Sequence, residues 1–244
     1  MKNTIKYLIL ILIYLVCGVE LQAQNYTFRN VVMSDGLSGL LVNAIYKDSE
    51  GFVWLGTDNC LDRFDGVKVR HFEFRGIESG RKKRVNSVTE TASKQLWVGN
   101  GIGLWRLNRT NSQLERIVPE KIDFAVNTLL ANEDVLYIGT EKGLFIHKDG
   151  QLLQVLTDRN MLAACNRIMD ICLNEDKTAL WLATVQGLFS YSLKDGKIDS
   201  WHFQENVPEA DYFRCLTRIG ETLYLGTMSP VSYRHLTLPT TSRV

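Results

Sequence analysis

Apolar and polar positions alternate in short runs along most of the chain, and one pattern returns five times. Phe52-Val53-Trp54-Leu55-Gly56-Thr57, Leu96-Trp97-Val98-Gly99-Asn100, Leu136-Tyr137-Ile138-Gly139-Thr140, Leu180-Trp181-Leu182-Ala183-Thr184 and Leu223-Tyr224-Leu225-Gly226-Thr227 are its copies. Their aromatic residues stand at 54, 97, 137, 181 and 224, at intervals of 43, 40, 44 and 43 residues. An apolar pair spaced by three comes 11–13 residues before each aromatic: Val42/Ile45, Val85/Val88, Val126/Leu129, Ile168/Ile171 and Phe213/Leu216. A third signal follows in four copies: Leu61-Asp62-Arg63-Phe64, Gly103-Leu104-Trp105, Gly143-Leu144-Phe145 and Gly187-Leu188-Phe189.

Period-two alternation with β-branched and aromatic enrichment predicts strands rather than helices. The apolar pair opens an inner strand, the aromatic-x-Gly segment is the second, and Gly-Leu-aromatic opens the third. A polar-alternating stretch such as Val67-Lys68-Val69-Arg70-His71-Phe72 forms the outermost. Turn signals at Asp65-Gly66, Asp149-Gly150 and Asp195-Gly196 separate them. A four-stranded repeat of about 40–45 residues is the signature of a β-propeller blade. The predicted fold is therefore an all-β propeller over 24–230, with blades near 40–74, 83–118, 124–156, 164–203 and 211–228. In each second strand the aromatic fills space between blades, and the glycine two residues on lets the next sheet approach. Trp54 with Gly56, Trp97 with Gly99, Tyr137 with Gly139, Trp181, and Tyr224 with Gly226 take these roles; Ala183 replaces the glycine in the fourth blade. The fifth repeat stops after its second strand, so about four and a half blades and an incomplete ring are expected. Residues 231–244 fit no repeat position. They predict a disordered tail that reads like translated adaptor sequence, and the chain reads as an N-terminal fragment.

The 244 residues are 45% hydrophobic and 23% charged, which excludes a disordered or fibrous chain. Residues 1–23 combine Lys2 and Lys6, an apolar run over 7–16 and a small residue, Ala23, the layout of a secretory signal peptide. The run is shorter than the roughly 20 residues a membrane span needs. Cys17 faintly resembles the cysteine of a lipoprotein cleavage box, but Val16 before it is bulkier than such a box takes. Without residues 1–23 the basic and acidic residues balance at 26 each, so no field favours nucleic acid.

Cys60, Cys165, Cys172 and Cys215 then remain; buried free thiols are expected, with three full disulfide pairings as the alternative. There is no C-x-x-C pair and the histidines at 71, 147, 202 and 235 stand far apart, so spacing predicts no metal site and no cofactor. Gly99-Asn100-Gly101-Ile102-Gly103 lacks the spacing of a phosphate loop and occupies a repeated turn slot. Arg81-Lys82-Lys83-Arg84 reads as a solvated loop between the first two blades, with contact to an acidic ligand or partner as the alternative.

These repeats resemble two-component-regulator propeller repeats, found in the periplasmic sensor halves of hybrid two-component systems of Gram-negative bacteria. The resemblance is strongest over 26–73, where Asp35-Gly36-Leu37-Ser38 precedes Val42-x-x-Ile45-x-x-Asp48-x-x-Gly51-x-x-Trp54-Leu55-Gly56-Thr57 and Leu61-x-Arg63-Phe64-Asp65-Gly66. Cys60 stands where the family pattern has glycine, so that turn is expected to be reshaped. The resemblance implies a periplasmic module without catalysis that binds an oligosaccharide or other small ligand. It also implies downstream blades, a membrane span and kinase domains in an intact relative, which could be a homodimer.

Turns between second and third strands emerge on one end of a propeller. Asp58, Asn59, Asn100, Glu141, Lys142 and Gln186 lie there and offer donors and acceptors suited to sugar hydroxyls, although the same residues favour turns in any case. Two other functions compete with sensing. A glycan lyase or hydrolase would need carboxylates converging near the axis, where Asp48 and Asp170 are the main acidic residues. A pure interaction scaffold would need neither ligand nor carboxylates.

Overall fold

A computed structural model of the chain describes residues 30–77, 83–117, 121–156, 167–201, 212–227 and 236–237. The expected signal peptide, Arg81, Lys82, Cys165 and most of the segment 231–244 lie outside them. The described residues form five antiparallel sheets, as the repeat predicts. The first holds β1 (Val42–Lys47), β2 (Val53–Thr57), β3 (Leu61–Phe64) and β4 (Val69–Phe72). The second holds β5 (Val85–Glu90), β6 (Leu96–Asn100), β7 (Gly103–Asn108) and β8 (Gln113–Ile117). The third is β9 (Val126–Asn132), β10 (Val135–Thr140), β11 (Gly143–Lys148) and β12 (Gln151–Gln154). The fourth is β13 (Ile168–Leu173), β14 (Ala179–Thr184), β15 (Gly187–Ser192) and β16 (Ile198–Trp201). The fifth is β17 (Phe213–Ile219), β18 (Thr222–Thr227) and β19 (Leu236–Thr237). Strands pair in chain order within every sheet, so each blade is a simple meander. One expectation changes here: residues 236–237, to which the pattern gave no repeat position, form the third strand of the last sheet, with Leu236 opposite Leu223.

The first blade shows why its turn has the sequence it has. Asp48 is buried. Its Oδ1 accepts from the backbone N–H of Glu50 (3.0 Å) and Phe52 (2.9 Å), which shapes the β1–β2 turn. Gly51 sits in that turn at φ +92°, a left-handed conformation that glycine adopts without a Cβ clash. The other oxygen, Oδ2, accepts from Trp54 Nε1 at 2.8 Å. The Asp-x-x-Gly-x-x-Trp spacing is thus one hydrogen-bonded unit.

Blades are joined by the second strand of one packing on the inner strand of the next. A Cβ placed on Gly56 would meet Val85 Cγ1 at 2.5 Å, and one on Gly99 would meet Val126 Cγ1 at 2.5 Å. Glycine here removes a methyl group so that the next sheet can close in. In the fourth blade Ala183 is fully buried in the cluster of Phe213 and Leu216, and the sheets still pack.

Burial along the repeat shows where the packing ends. Trp54, Trp97, Tyr137 and Trp181 are 1–9% exposed, whereas Tyr224 is 41% exposed. Among the apolar pairs, Val85/Val88 through Phe213/Leu216 are buried, while Val42 and Ile45 are exposed. The first and last blades each present an uncovered face, and the ring is not closed.

Candidate functional site

The five inner strands face one cavity of about 400 Å³, lined by Asn43, Arg84, Asn86, Asn127, Asp170 and Arg214 among others. A bulge places several of these side chains. In β1, β5, β13 and β17 the pairing skips one residue, namely Asn43, Asn86, Met169 and Arg214, and in β9 the skipped residue is Asn127. A bulged residue leaves the regular ladder and its side chain is re-aimed. Asn86 Nδ2 donates to the Val126 carbonyl at 2.9 Å, and Asn127 Nδ2 donates to the Ile168 carbonyl at 2.8 Å. Each asparagine therefore ties its blade to the next.

A second set of bonds runs around the same axis. Ser87 Oγ accepts from Leu129 N–H at 3.0 Å, and Thr128 Oγ1 donates to Asp170 Oδ1 at 3.0 Å. Asp170 Oδ2 accepts from Leu216 N–H at 2.9 Å, and Oδ1 accepts from Ile171 N–H at 2.9 Å. Burial holds the Asp170 carboxyl above the usual carboxylate range, despite these bonds favouring its charged form. Cys215 also lines the cavity and is exposed; Cys172 is half-buried and Cys60 buried, all three as free thiols. The expectation of buried thiols thus fails at Cys215, over whose inner strand no further sheet packs among the described residues.

Of the six rim residues the sequence singles out, Asp58, Asn59, Glu141, Lys142 and Gln186 are exposed in turns between second and third strands. Asn100 departs from that expectation. It is fully buried, with Oδ1 accepting from Ile102 N–H at 3.0 Å, so it shapes its turn instead of facing solvent. The rim turns are bonded to the starts of the inner strands: Gly101 N–H donates to the Arg84 carbonyl at 3.1 Å, and Glu141 N–H donates to the Ala125 carbonyl at 3.2 Å. Asn59 Nδ2 donates to the Ser38 carbonyl at 2.7 Å, and Lys142 Nζ lies 4.6 Å from the Phe124 ring centroid. None of the six lines the axial cavity. The cavity asparagines were missed in the sequence, and the one signal for them is that Asn43, Asn86 and Asn127 each follow the first member of an apolar pair.

The first blade carries a further polar group. Cys60 Sγ lies 3.2 Å from Asp62 Oδ1, and His71 Nδ1 lies 2.7 Å from the same oxygen. Ser38 donates to Asp62 Oδ2 through both N–H and Oγ, each at 2.8 Å. Burial pushes the Cys60 thiol up to about 12, which leaves it protonated and a poor nucleophile at neutral pH. As expected, its turn is reshaped: Gly103, Gly143 and Gly187 hold φ of +153°, +111° and +138° at this position, and Cys60 is not among the positive-φ residues.

Comparison with known proteins follows from this architecture. Residues 36–59 match the family model described as two component regulator propeller. No curated protein sequence matches the chain. Among solved structures it is similar to the extracellular domains of two proteins assigned as hybrid two component systems from B. thetaiotaomicron. One is 23% identical with TM-score 0.63, covering 76% of this chain and 26% of its own. The other is 19% identical with TM-score 0.66, covering 82% and 29%. Virginiamycin B lyase from Staphylococcus aureus is 14% identical with TM-score 0.62, covering 79% of this chain and 65% of its own. These likenesses establish a β-propeller fold, and the match to the two component regulator propeller model falls within the first repeat, at residues 36–59. The chain spans under a third of the length of the two extracellular domains. Among the described residues no helix is long and apolar enough to cross a membrane.

Proposed function

We propose that this chain is an extracytoplasmic sensing module of a two-component system, responding to an oligosaccharide in the periplasm without chemically altering it. The carrying observation is the axial cavity, where asparagine amides, arginines and one carboxylate from five different blades converge. Hydroxyl-rich ligands need donors and acceptors together, and amides supply both. Asp58, Asn59, Glu141, Lys142 and Gln186 are the outer contacts of the same ligand, at the end where the inner strands begin. Because the lining residues come from separate blades, a ligand touching several of them favours one spacing of the blades over another. That differential is what a sensor transmits to kinase domains. Downstream blades and kinase domains, and dimerisation of the intact protein, belong to this same proposal.

A glycan lyase or hydrolase is the competing reading, favoured only by the fold shared with a lyase. A hydrolase of the usual two-carboxylate kind needs a second carboxylate about 5–10 Å from the first. Asp170 is the one acidic residue lining the cavity, and Asp48 is committed to its own turn and to Trp54. The test is a thermal-shift screen of oligosaccharides with product analysis on every hit. Stabilisation without turnover supports sensing, whereas turnover that needs Asp170 supports the enzyme.

A further inference from the structure

Repeat symmetry isolates one place where the first blade breaks its own rules. At the opening of the third strand the second, third and fourth blades place a glycine and then, two residues on, a buried aromatic: Trp105, Phe145 or Phe189. The first blade places Cys60 and Asp62 in those slots, with Asp62 fully buried where an aromatic ring would fill the blade. Across the β3–β4 ladder Asp62 faces His71. Asp62 replaces the apolar filling by a carboxylate, Cys60 adds a thiol where the second to fourth blades have glycine, and His71 stands opposite, where those blades carry the polar Arg116, Gln154 and Ser200. We propose that Cys60, Asp62 and His71 form a binding site for a thiophilic divalent cation, with Zn2+ as its best-matched occupant.

The donor set fits that ion. Sγ, a carboxylate oxygen and a ring nitrogen lie within 4.8 Å of one another. Zinc binds sulfur at about 2.3 Å and nitrogen or oxygen at about 2.0–2.2 Å, which sets donor separations near 3.4–3.6 Å in a tetrahedron. The observed 3.2 Å and 2.7 Å separations need to open by less than about 1 Å. In the metal-free protein Asp62 Oδ1 accepts from both neighbours; the cation takes the place of those two hydrogen bonds and displaces the Cys60 thiol proton to solvent, so that sulfur binds as the thiolate. Ser38 holds the other carboxylate oxygen, the supporting contact that orients a ligand toward its metal. His71 is half-exposed, so the fourth position opens to water or to an oxygen of a bound molecule. The thiolate makes magnesium or calcium a poor match, since both prefer oxygen donors.

The experiment titrates the reduced full chain with Co2+ by absorption and with Zn2+ by calorimetry. Three forms are compared: wild type, Cys60→Gly and His71→Ala. Cys60→Gly restores the residue the other blades use, so the fold is kept, which circular dichroism verifies. One equivalent of Co2+ is expected to give a thiolate charge-transfer band that is absent in Cys60→Gly. His71→Ala is expected to weaken Zn2+ by more than the roughly 10–100-fold that loss of a supporting residue costs. No charge-transfer band, or equal Zn2+ affinity in wild type and Cys60→Gly, overturns the proposal. A band that survives in Cys60→Gly assigns the metal to another of the chain's five cysteines and overturns it equally.

Discussion

Trp54 Nε1 donates to Asp48 Oδ2 across 2.8 Å of buried space. The equivalent indoles of the second and fourth blades, Trp97 and Trp181, have no partner for Nε1. The pairs differ at the turn: Thr91 and Asn174 stand in the second and fourth blades where Asp48 stands in the first. Of these three blades the first is the one whose indole is tied to its own turn, and Asp48 and Trp54 both lie in the segment 36–59 that matches the family model.

Asp48→Ala strips three donors of their acceptor, two in the backbone and one in the indole. Leaving a buried donor unsatisfied costs about 1–3 kcal/mol. Chemical denaturation is expected to show a loss of at least that size. Thr91→Ala in the second blade, which has no indole partner to strand, is expected to cost less.

Gly99 and Val126 are coupled by space. Gly99→Ala sets a methyl group against Val126 Cγ1 and is expected to destabilise by about 1–3 kcal/mol, the usual cost of overpacking. Val126→Ala alone leaves a cavity and also destabilises. In the double variant the new methyl group occupies part of the vacated space, so the two losses are expected to be less than additive in a double-mutant cycle.

Asp170 gives the stability curve a sign. Its carboxyl is held above the ordinary value of 3.8 by burial, so the folded state keeps the proton to a higher pH than the unfolded state. That contribution is fully present below the unfolded value and is lost as pH rises through the folded one. Asp170→Asn cannot ionise and is expected to gain on wild type as pH rises from about 3.8 upward. Unfolding free energies of both proteins across that window check it; a constant difference contradicts the assignment.

His147 carries the opposite sign. Burial first, and then the Arg106 charge, hold its imidazole below the ordinary 6.5. Its ring lies 4.8 Å from that of Trp97. The stability linked to the neutral ring is present above the unfolded value and is lost as pH falls through the folded one. His147→Gln is expected to lose less stability than wild type on acidification below about 6.5.

Much of this fold was legible because a propeller writes each blade in nearly the same words. The repeated aromatic places Trp54, Trp97, Tyr137 and Trp181 in the interior, and it misleads at Tyr224, where no further sheet among the described residues covers the ring. Asn100 reads as a polar rim residue but is buried, since its side chain substitutes for the threonine that shapes the equivalent turns at Thr57, Thr140 and Thr184. The axial asparagines escaped notice because a bulge, which residue type does not announce, turns them inward. The group at Asp62 escaped for a related reason: Cys60 lies two residues away in the chain, but strand pairing, not sequence spacing, brings His71 to the same carboxylate.

In the proposed function ligand is read in the axial cavity. Calorimetric titration of the best oligosaccharide from the screen into wild type, Asn86→Ser, Asp170→Asn, Gln186→Ala and Asp58→Ala tests it most directly. The axial substitutions are expected to weaken binding by about 3- to 10-fold each, the worth of a hydrogen bond, with the exposed rim substitutions costing less. Full affinity in both axial variants, with loss confined to Gln186→Ala and Asp58→Ala, would contradict it.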